Sequence, residues 1–206
     1  MKPILSLLAL FTVSLAACAA EDDPATATTA TQEGVVSGPT ILKAGTSTAT
    51  TSASARTSGL QMDGGKELGS YLLAQYAVTP RTGDSAANLT VTAAGDASFV
   101  YILRGSGPGY VGKQLRLQRV PGSPNLVAAA ATGMVTCGAI APDTSTLVTL
   151  VVHAMPPRTF DVLLDGAATA CTGLATGLEP PFVGFEIMDP SNEGYGGRVT
   201  FDGLSL

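Results

Sequence analysis

Gln114-Leu115-Arg116-Leu117-Gln118-Arg119 alternates residue by residue, with its leucines on one face and Gln114, Arg116 and Gln118 on the other. A period of two is the signature of a β-strand with one dry face and one wet face. The same alternation recurs at Asn88-Leu89-Thr90-Val91-Thr92, where hydroxyl and amide groups take the polar positions. Working outward, short apolar segments lie at 71–78, 98–103, 125–129, 134–137, 146–153, 159–164, 182–188 and 198–206. Gly, Pro, Asn and Asp punctuate the gaps, as at Pro121-Gly122 and Asp165-Gly166, and these residues supply the backbone conformations that tight turns need. No stretch holds a 3.6-residue period for long, although Leu68 to Tyr76 is readable as one short helix. The pattern predicts an all-β fold, an antiparallel β-sandwich.

Composition agrees. Charged residues make up only 13% of the chain and glycine is abundant at 24, which suits closely spaced strands and turns better than a helical bundle. The net charge of −5 argues against a nucleic-acid partner, because phosphate binding needs a clustered basic face. The N-terminal third reads differently. Ala and Thr nearly alternate from Ala25 to Thr31, and Thr46 to Ser58 contains only Thr, Ser, Ala and Arg56. Such tracts carry too little apolar surface to offset the entropy of ordering, and they are expected to form a disordered tether. Pro39-Thr40-Ile41-Leu42 interrupts them as an apolar patch, a candidate strand docking on the domain. The expected organisation is a signal segment over 1–17, a tether over 18–58 and a β-sandwich domain over 59–206.

The first residues carry a charge at Lys2, an apolar run from Ile4 to Leu15, and then Leu15-Ala16-Ala17-Cys18. The run is too short to be a permanent transmembrane helix and is built like a secretory signal. Its ending resembles the bacterial lipobox, which implies cleavage before Cys18 and acylation of its thiol as a membrane anchor. The alternative is an ordinary signal peptide cut near Ala20. Ala19 is not the aspartate associated with inner-membrane retention in enteric bacteria, so the resemblance implies the outer membrane of the cell envelope. The other two cysteines, Cys137 and Cys171, are then expected to form one disulfide in an oxidising compartment; a thiol redox pair is the alternative, without Cys-x-x-Cys spacing to support it.

Thr146-Leu147-Val148-Thr149-Leu150-Val151-Val152, a proline-rich turn, and Arg158-Thr159-Phe160-Asp161-Val162-Leu163-Leu164-Asp165-Gly166 follow one another. With the closing segment Gly197 to Leu206, which contains Phe201-Asp202, they resemble concanavalin A-like and laminin-G-like lectin/glucanase jelly rolls over residues 68–206. The chain departs from that pattern in having no tryptophan. The resemblance implies a jelly roll and, at its sites, sugars.

Several residue groups could carry chemistry. Arg104, Lys113, Arg116 and Arg119 cluster half of the domain's positive charge, and Gln114, Arg116 and Gln118 on one strand face, with Tyr101 and Tyr110 nearby in sequence, suggest a polar groove on one sheet. Tyr101, Arg116 and Gln118 are its named ligand-binding candidates; the alternative is an ordinary solvated sheet face. Glu186 and Asp189 are three residues apart, which in a strand sends them to opposite faces. Glucanases of the resembled class place their carboxylates two apart on one strand, so catalysis by this pair is not expected. Asp189, Asn192 and Glu193 offer oxygen ligands for calcium, against the alternative of an Asp-Pro-Ser-Asn turn. His153 is the only histidine and reads as a strand-end residue; Ser106 lies in a glycine-rich loop without a nucleophile-elbow pattern.

The expected role is a non-catalytic binding or adhesion module for glycans or envelope proteins. It is expected to attach to a membrane through its lipid and to require no cofactor unless calcium binds. A divergent glycan-processing enzyme and a purely structural envelope lipoprotein are the alternatives, and oligomeric state is left open.

Overall fold

Alternation in sequence becomes alternation in burial: Leu115 and Leu117 are almost wholly buried, while Gln114, Arg116 and Gln118 are half-buried. The structure, a computed structural model, describes residues 38–53, 58–64, 70–189 and 197–206. Two antiparallel sheets pack face to face. The first runs in the order β1 (Thr40–Ala44), β4 (Tyr71–Arg81), β14 (Phe182–Asp189), β6 (Phe99–Arg104), β7 (Gln114–Arg119), β8 (Asn125–Ala130) and β9 (Gly133–Ala139). The second runs β12 (Ala167–Ala168), β11 (Thr159–Leu164), β10 (Ser145–His153), β5 (Ser85–Ala93), β15 (Arg198–Ser205), β3 (Ser58–Asp63) and β2 (Thr48–Ala53). The short β13 (Leu174–Ala175) also pairs with β11, and one helical turn, α1 (Gly109–Lys113), leads into β7. The expected β-sandwich is therefore the fold.

The core lies between the sheets and is held by aromatic contacts. Phe99 of the first sheet meets Phe201 of the second edge to face at 5.2 Å, and Phe185 stacks between Tyr76 at 4.5 Å and Tyr101 at 5.4 Å. Burial of each such side chain contributes about 1.5–3 kcal/mol. At the far edge, Cys137 of β9 and Cys171, in the loop between β12 and β13, form the expected disulfide. It ties the edges of the two sheets together across a sequence separation of 34, a closure of about 4 kcal/mol in the chain-entropy treatment. Asp165 and Gly166 both have positive φ, 51° and 79°, which is the backbone a two-residue hairpin turn requires.

Three expectations need correction. The tether does not extend to residue 58, because Thr40–Ala44 pairs with β4 and Thr48–Ala53 pairs with β3. Ile41 packs on the core as the apolar patch at 39–42 suggested, while β2 is an edge strand whose β-branched threonines suit a pleated surface without apolar residues to mark it. The alternative of a short helix over Leu68 to Tyr76 fails in its described part: Tyr71 to Tyr76 begin β4, in which Leu72, Ala74 and Tyr76 point inward. Arg119 does not belong to a surface groove. It shares the parity of Leu115 and Leu117, is fully buried, and donates from Nη2 to the Gly95 carbonyl (2.9 Å), from Nε to the Ile140 carbonyl (3.3 Å) and from Nη1 to the Ala97 carbonyl.

Candidate functional site

The outward face of the first sheet carries a polar row interrupted once, at Ile102. Because cross-strand partners share a face, the register sets Thr40 beside Gln75, Gln75 beside Glu186, Glu186 beside Ile102, and Ile102 beside Arg116. With strands about 4.8 Å apart, this row crosses five strands over roughly 19 Å. The adjacent row is Ala77, Gly184, Arg104 and Gln114. Here the small residues matter. A Cβ on Gly184 would run into the carbonyl oxygen of Tyr76, so only glycine keeps this floor low. The result is a cavity of about 340 Å³ whose walls include Thr40, Gln75, Arg104 and Glu186.

Side chains in the two rows are linked. Gln75 donates from Nε2 to Glu186 Oε1 at 3.0 Å, and Arg104 donates from Nη2 to Glu186 Oε2 at 2.6 Å and from Nη1 to Gln114 Oε1 at 3.0 Å. Glu186 is thus engaged at both oxygens and nearly buried, whereas Arg104 is about a third exposed. A charge-assisted chain of this kind fixes the rotamers of its members before any ligand arrives. Beyond it, Arg116 donates from Nη2 to Gln118 Oε1 at 3.0 Å. Along β4 the outward positions continue through Leu73 to Tyr71, which is 42% exposed. With Leu42 of β1, also exposed, Tyr71 gives this face an apolar, aromatic flank next to its polar rows.

Of the predicted groove residues, Arg116, Gln118, Gln114 and Arg104 come together on this face. Tyr101 does not. It is 1% exposed, stacked on Phe185 in the core, and its buried hydroxyl has no hydrogen-bond partner among the described residues. Burial pushes its pKa well up, so it stays neutral. Among the described residues the aromatic side chain exposed on this face is Tyr71, which lies inside an apolar run of the sequence. Glu186 and Asp189 do face opposite ways: Asp189 is buried against Gly64, whose Cβ position its carboxylate fills. Asn192 and Glu193, the other two calcium candidates, lie outside the described residues, as does Cys18; no group of three or more acidic, His or Cys residues suited to a metal occurs among those described. Ser106 donates to the Pro180 carbonyl at 2.9 Å and serves the loop.

The sequence reading also missed the surroundings of His153, on the outer side of the second sheet. Its Nδ1 lies 3.1 Å from Asp84 Oδ2 and its Nε2 3.0 Å from Asp161 Oδ2. Each carboxylate accepts a backbone N–H with its other oxygen, Asp84 from Ala154 (2.8 Å) and Asp161 from Gly173 (2.6 Å). A neutral imidazole has one N–H and serves one carboxylate, so this clasp favours the imidazolium. Asp161 first, and then Asp84, raise the His153 pKa against the opposing effect of burial. A folded-state pKa above the unfolded value means that the stabilisation is complete below about pH 6.5 and is lost as pH rises through the folded value. Asp84 behaves oppositely. The Ala154 N–H, with His153 adding to it, holds its carboxyl below the usual range, so its contribution fades as pH falls through that depressed value. Comparing melting temperatures of the wild type and His153→Gln from pH 5 to 9, the wild-type advantage is expected to be largest near pH 5.5 and to shrink steadily above pH 7. A gap independent of pH would rule out the charged clasp.

No family model matches the chain, and no curated protein matches it. Solved structures do. A sialidase superposes with a TM-score of 0.53 at 10% identity, covering 76% of this chain and 16% of the sialidase; this chain therefore spans about a sixth of that protein's length. An endo-β-1,4-glucuronan lyase from the fungus Trichoderma reesei superposes with a TM-score of 0.52 at 11% identity, covering 81% of this chain and 89% of the lyase. The carbohydrate recognition domain of Emp47p gives 0.48 at 10% identity, over 77% and 85% of the two chains. Likeness at these identities is a likeness of fold alone, and the sandwich is a jelly roll.

Proposed function

We propose that this protein is a non-catalytic glycan-binding module of the bacterial cell envelope, attached to a membrane through lipidated Cys18 and binding on the outward face of the seven-stranded sheet. The observation that carries the reading is the cavity over Gly184, walled by the linked Gln75, Glu186 and Arg104, with exposed Tyr71 four residues along β4 from Gln75 on the same face. Sugars present hydroxyls in fixed directions and one apolar ring face, which a rigid amide–carboxylate–guanidinium row beside an aromatic surface complements. The shared jelly-roll fold of the glucuronan lyase, whose name states a glycan substrate, adds support at the level of fold.

Binding is favoured over hydrolysis by the carboxylate inventory. Glycoside hydrolysis ordinarily needs two carboxyl groups roughly 5–9.5 Å apart across the scissile bond. Among the described residues of this face Glu186 is the one carboxylate, and Arg104 and Gln75 hold both its oxygens. The test is binding of the protein to a panel of plant, algal and bacterial polysaccharides, with product release scored in the same tubes. Tyr71→Ala is expected to weaken the best binder about tenfold, equivalent to ~1.4 kcal/mol of lost stacking, with no shortened products. Unaltered affinity in that variant would move the site off this face, and product release would replace the binding reading by an enzymatic one.

A further inference from the structure

We infer that the glycan is acidic, recognised through an anionic group, a uronate carboxylate or a sulfate ester, that pairs with Arg116. The inference rests on the binding face proposed above and adds the substrate class.

It comes from the charges on that face. The described outward residues carry three: Arg104, Glu186 and Arg116. Arg104 and Glu186 neutralise one another at 2.6 Å. Arg116 has no carboxylate partner among the described residues. Its one hydrogen bond to them is the 3.0 Å contact with Gln118, and its Nε is buried without an acceptor. The chain as a whole carries 16 acidic against 11 basic residues, so an uncompensated cation on this face opposes the overall balance. A guanidinium has five donors in a planar fork that matches carboxylate and sulfate geometry, and the Nη donors that Gln118 does not take are the ones left for a ligand.

Position supports this. Arg116 ends the row that begins at Thr40 and Gln75, two strands beyond Glu186, with only Ile102 between them. A glycan lying across the strands with one sugar in the Glu186 cavity therefore carries a neighbouring sugar over Ile102 to Arg116. Lys113, exposed just before β7, adds a second cation at that end. The Glu186 cavity itself, closed by its own ion pair, suits a neutral hydroxylated part of the sugar and disfavours a second carboxylate.

The test is a calorimetric titration of the whole protein and of Arg116→Gln with four probes. These are oligogalacturonate, its carboxyl-reduced counterpart, dextran sulfate, and unsulfated dextran as the neutral control. The expected result is binding of oligogalacturonate that weakens at least tenfold on carboxyl reduction, at least tenfold in Arg116→Gln, and progressively with added salt, while any residual binding of the reduced oligomer changes less than twofold in the variant. Binding of dextran sulfate as well would assign the site to anions generally, and its absence would assign it to carboxylates. Equal binding of oligogalacturonate and its reduced form would overturn the acidic-ligand inference and leave the glycan face standing. No binding to any probe would overturn both.

Discussion

Replacing Arg119 with methionine is expected to lower the melting temperature by roughly 10–15 °C, the consequence of losing about 3–5 kcal/mol. Methionine fills similar space, so a cavity is not the cause. Arg119 is fully buried, and its guanidinium is the donor to the Gly95, Ala97 and Ile140 carbonyls. Gly95 and Ala97 lie in the β5–β6 turn and Ile140 directly follows β9, so one side chain anchors two loops at the same end of the sandwich. Without it three carbonyls lose their donor, at about 1–3 kcal/mol for each one left unsatisfied. Burial pulls the Arg119 pKa down and Asp96 and Asp143 oppose that, but arginine starts so high that the group stays charged. Arg119→Lys is expected to be intermediate, since an ammonium is a point donor and cannot span carbonyls spread around a planar fork. Calorimetry decides: a shift of less than about 2 °C for Arg119→Met would show that the loops hold without it.

The second large effect concerns location. Cys18→Ser is expected to move the protein from the membrane fraction to the soluble fraction almost completely. Among the described residues no helix is long and apolar enough to cross a membrane, and most large apolar side chains of the sandwich are buried. On the proposed anchoring, attachment rests on acyl chains at Cys18, each buried methylene contributing about 0.8 kcal/mol; one chain gives only reversible binding and a second makes it stable. Removing the acceptor thiol removes the whole of that attachment. Fractionation of cells expressing each form reads the outcome, and an unchanged membrane fraction would contradict anchoring at Cys18.

The strands of the sandwich were legible wherever one face was wet. Gln114 to Arg119 and Asn88 to Thr92 alternate because one side meets leucines and the other meets water, and period two survives in the sequence. Phe99 to Leu103 of β6 was legible as a strand but not in its facing, because Val100 and Ile102 are buried beneath outward neighbours and the run is apolar on both sides. Sequence alone therefore leaves Tyr101 free to join the groove. Counting back by twos from Arg104, which faces outward, would have placed it in the core. The same counting from Leu117 would have placed Arg119 inside. The strand at Thr48–Ala53 left little trace, because an edge strand of Thr, Ser and Ala gains its order from pairing with β3 and not from its own apolar side chains. Long-range geometry was the least legible. Asp84 lies 69 residues from His153 and Asp161 only 8, and nothing in local spacing announces that the fold sets both against one imidazole.

The central claim is that glycans bind on the outward face of the seven-stranded sheet. The measurement that tests it most directly is a map of amide chemical-shift changes as the isotope-labelled protein is titrated with oligogalacturonate and with neutral β-glucan oligomers. A glycan seated on that face is predicted to move the amides around Tyr71, Gln75, Gly184, Glu186, Arg104 and Arg116 together, while those around Thr90, Thr149 and His153 on the opposite sheet stay in place. Shifts confined to the opposite sheet, or none at saturating sugar, would contradict it.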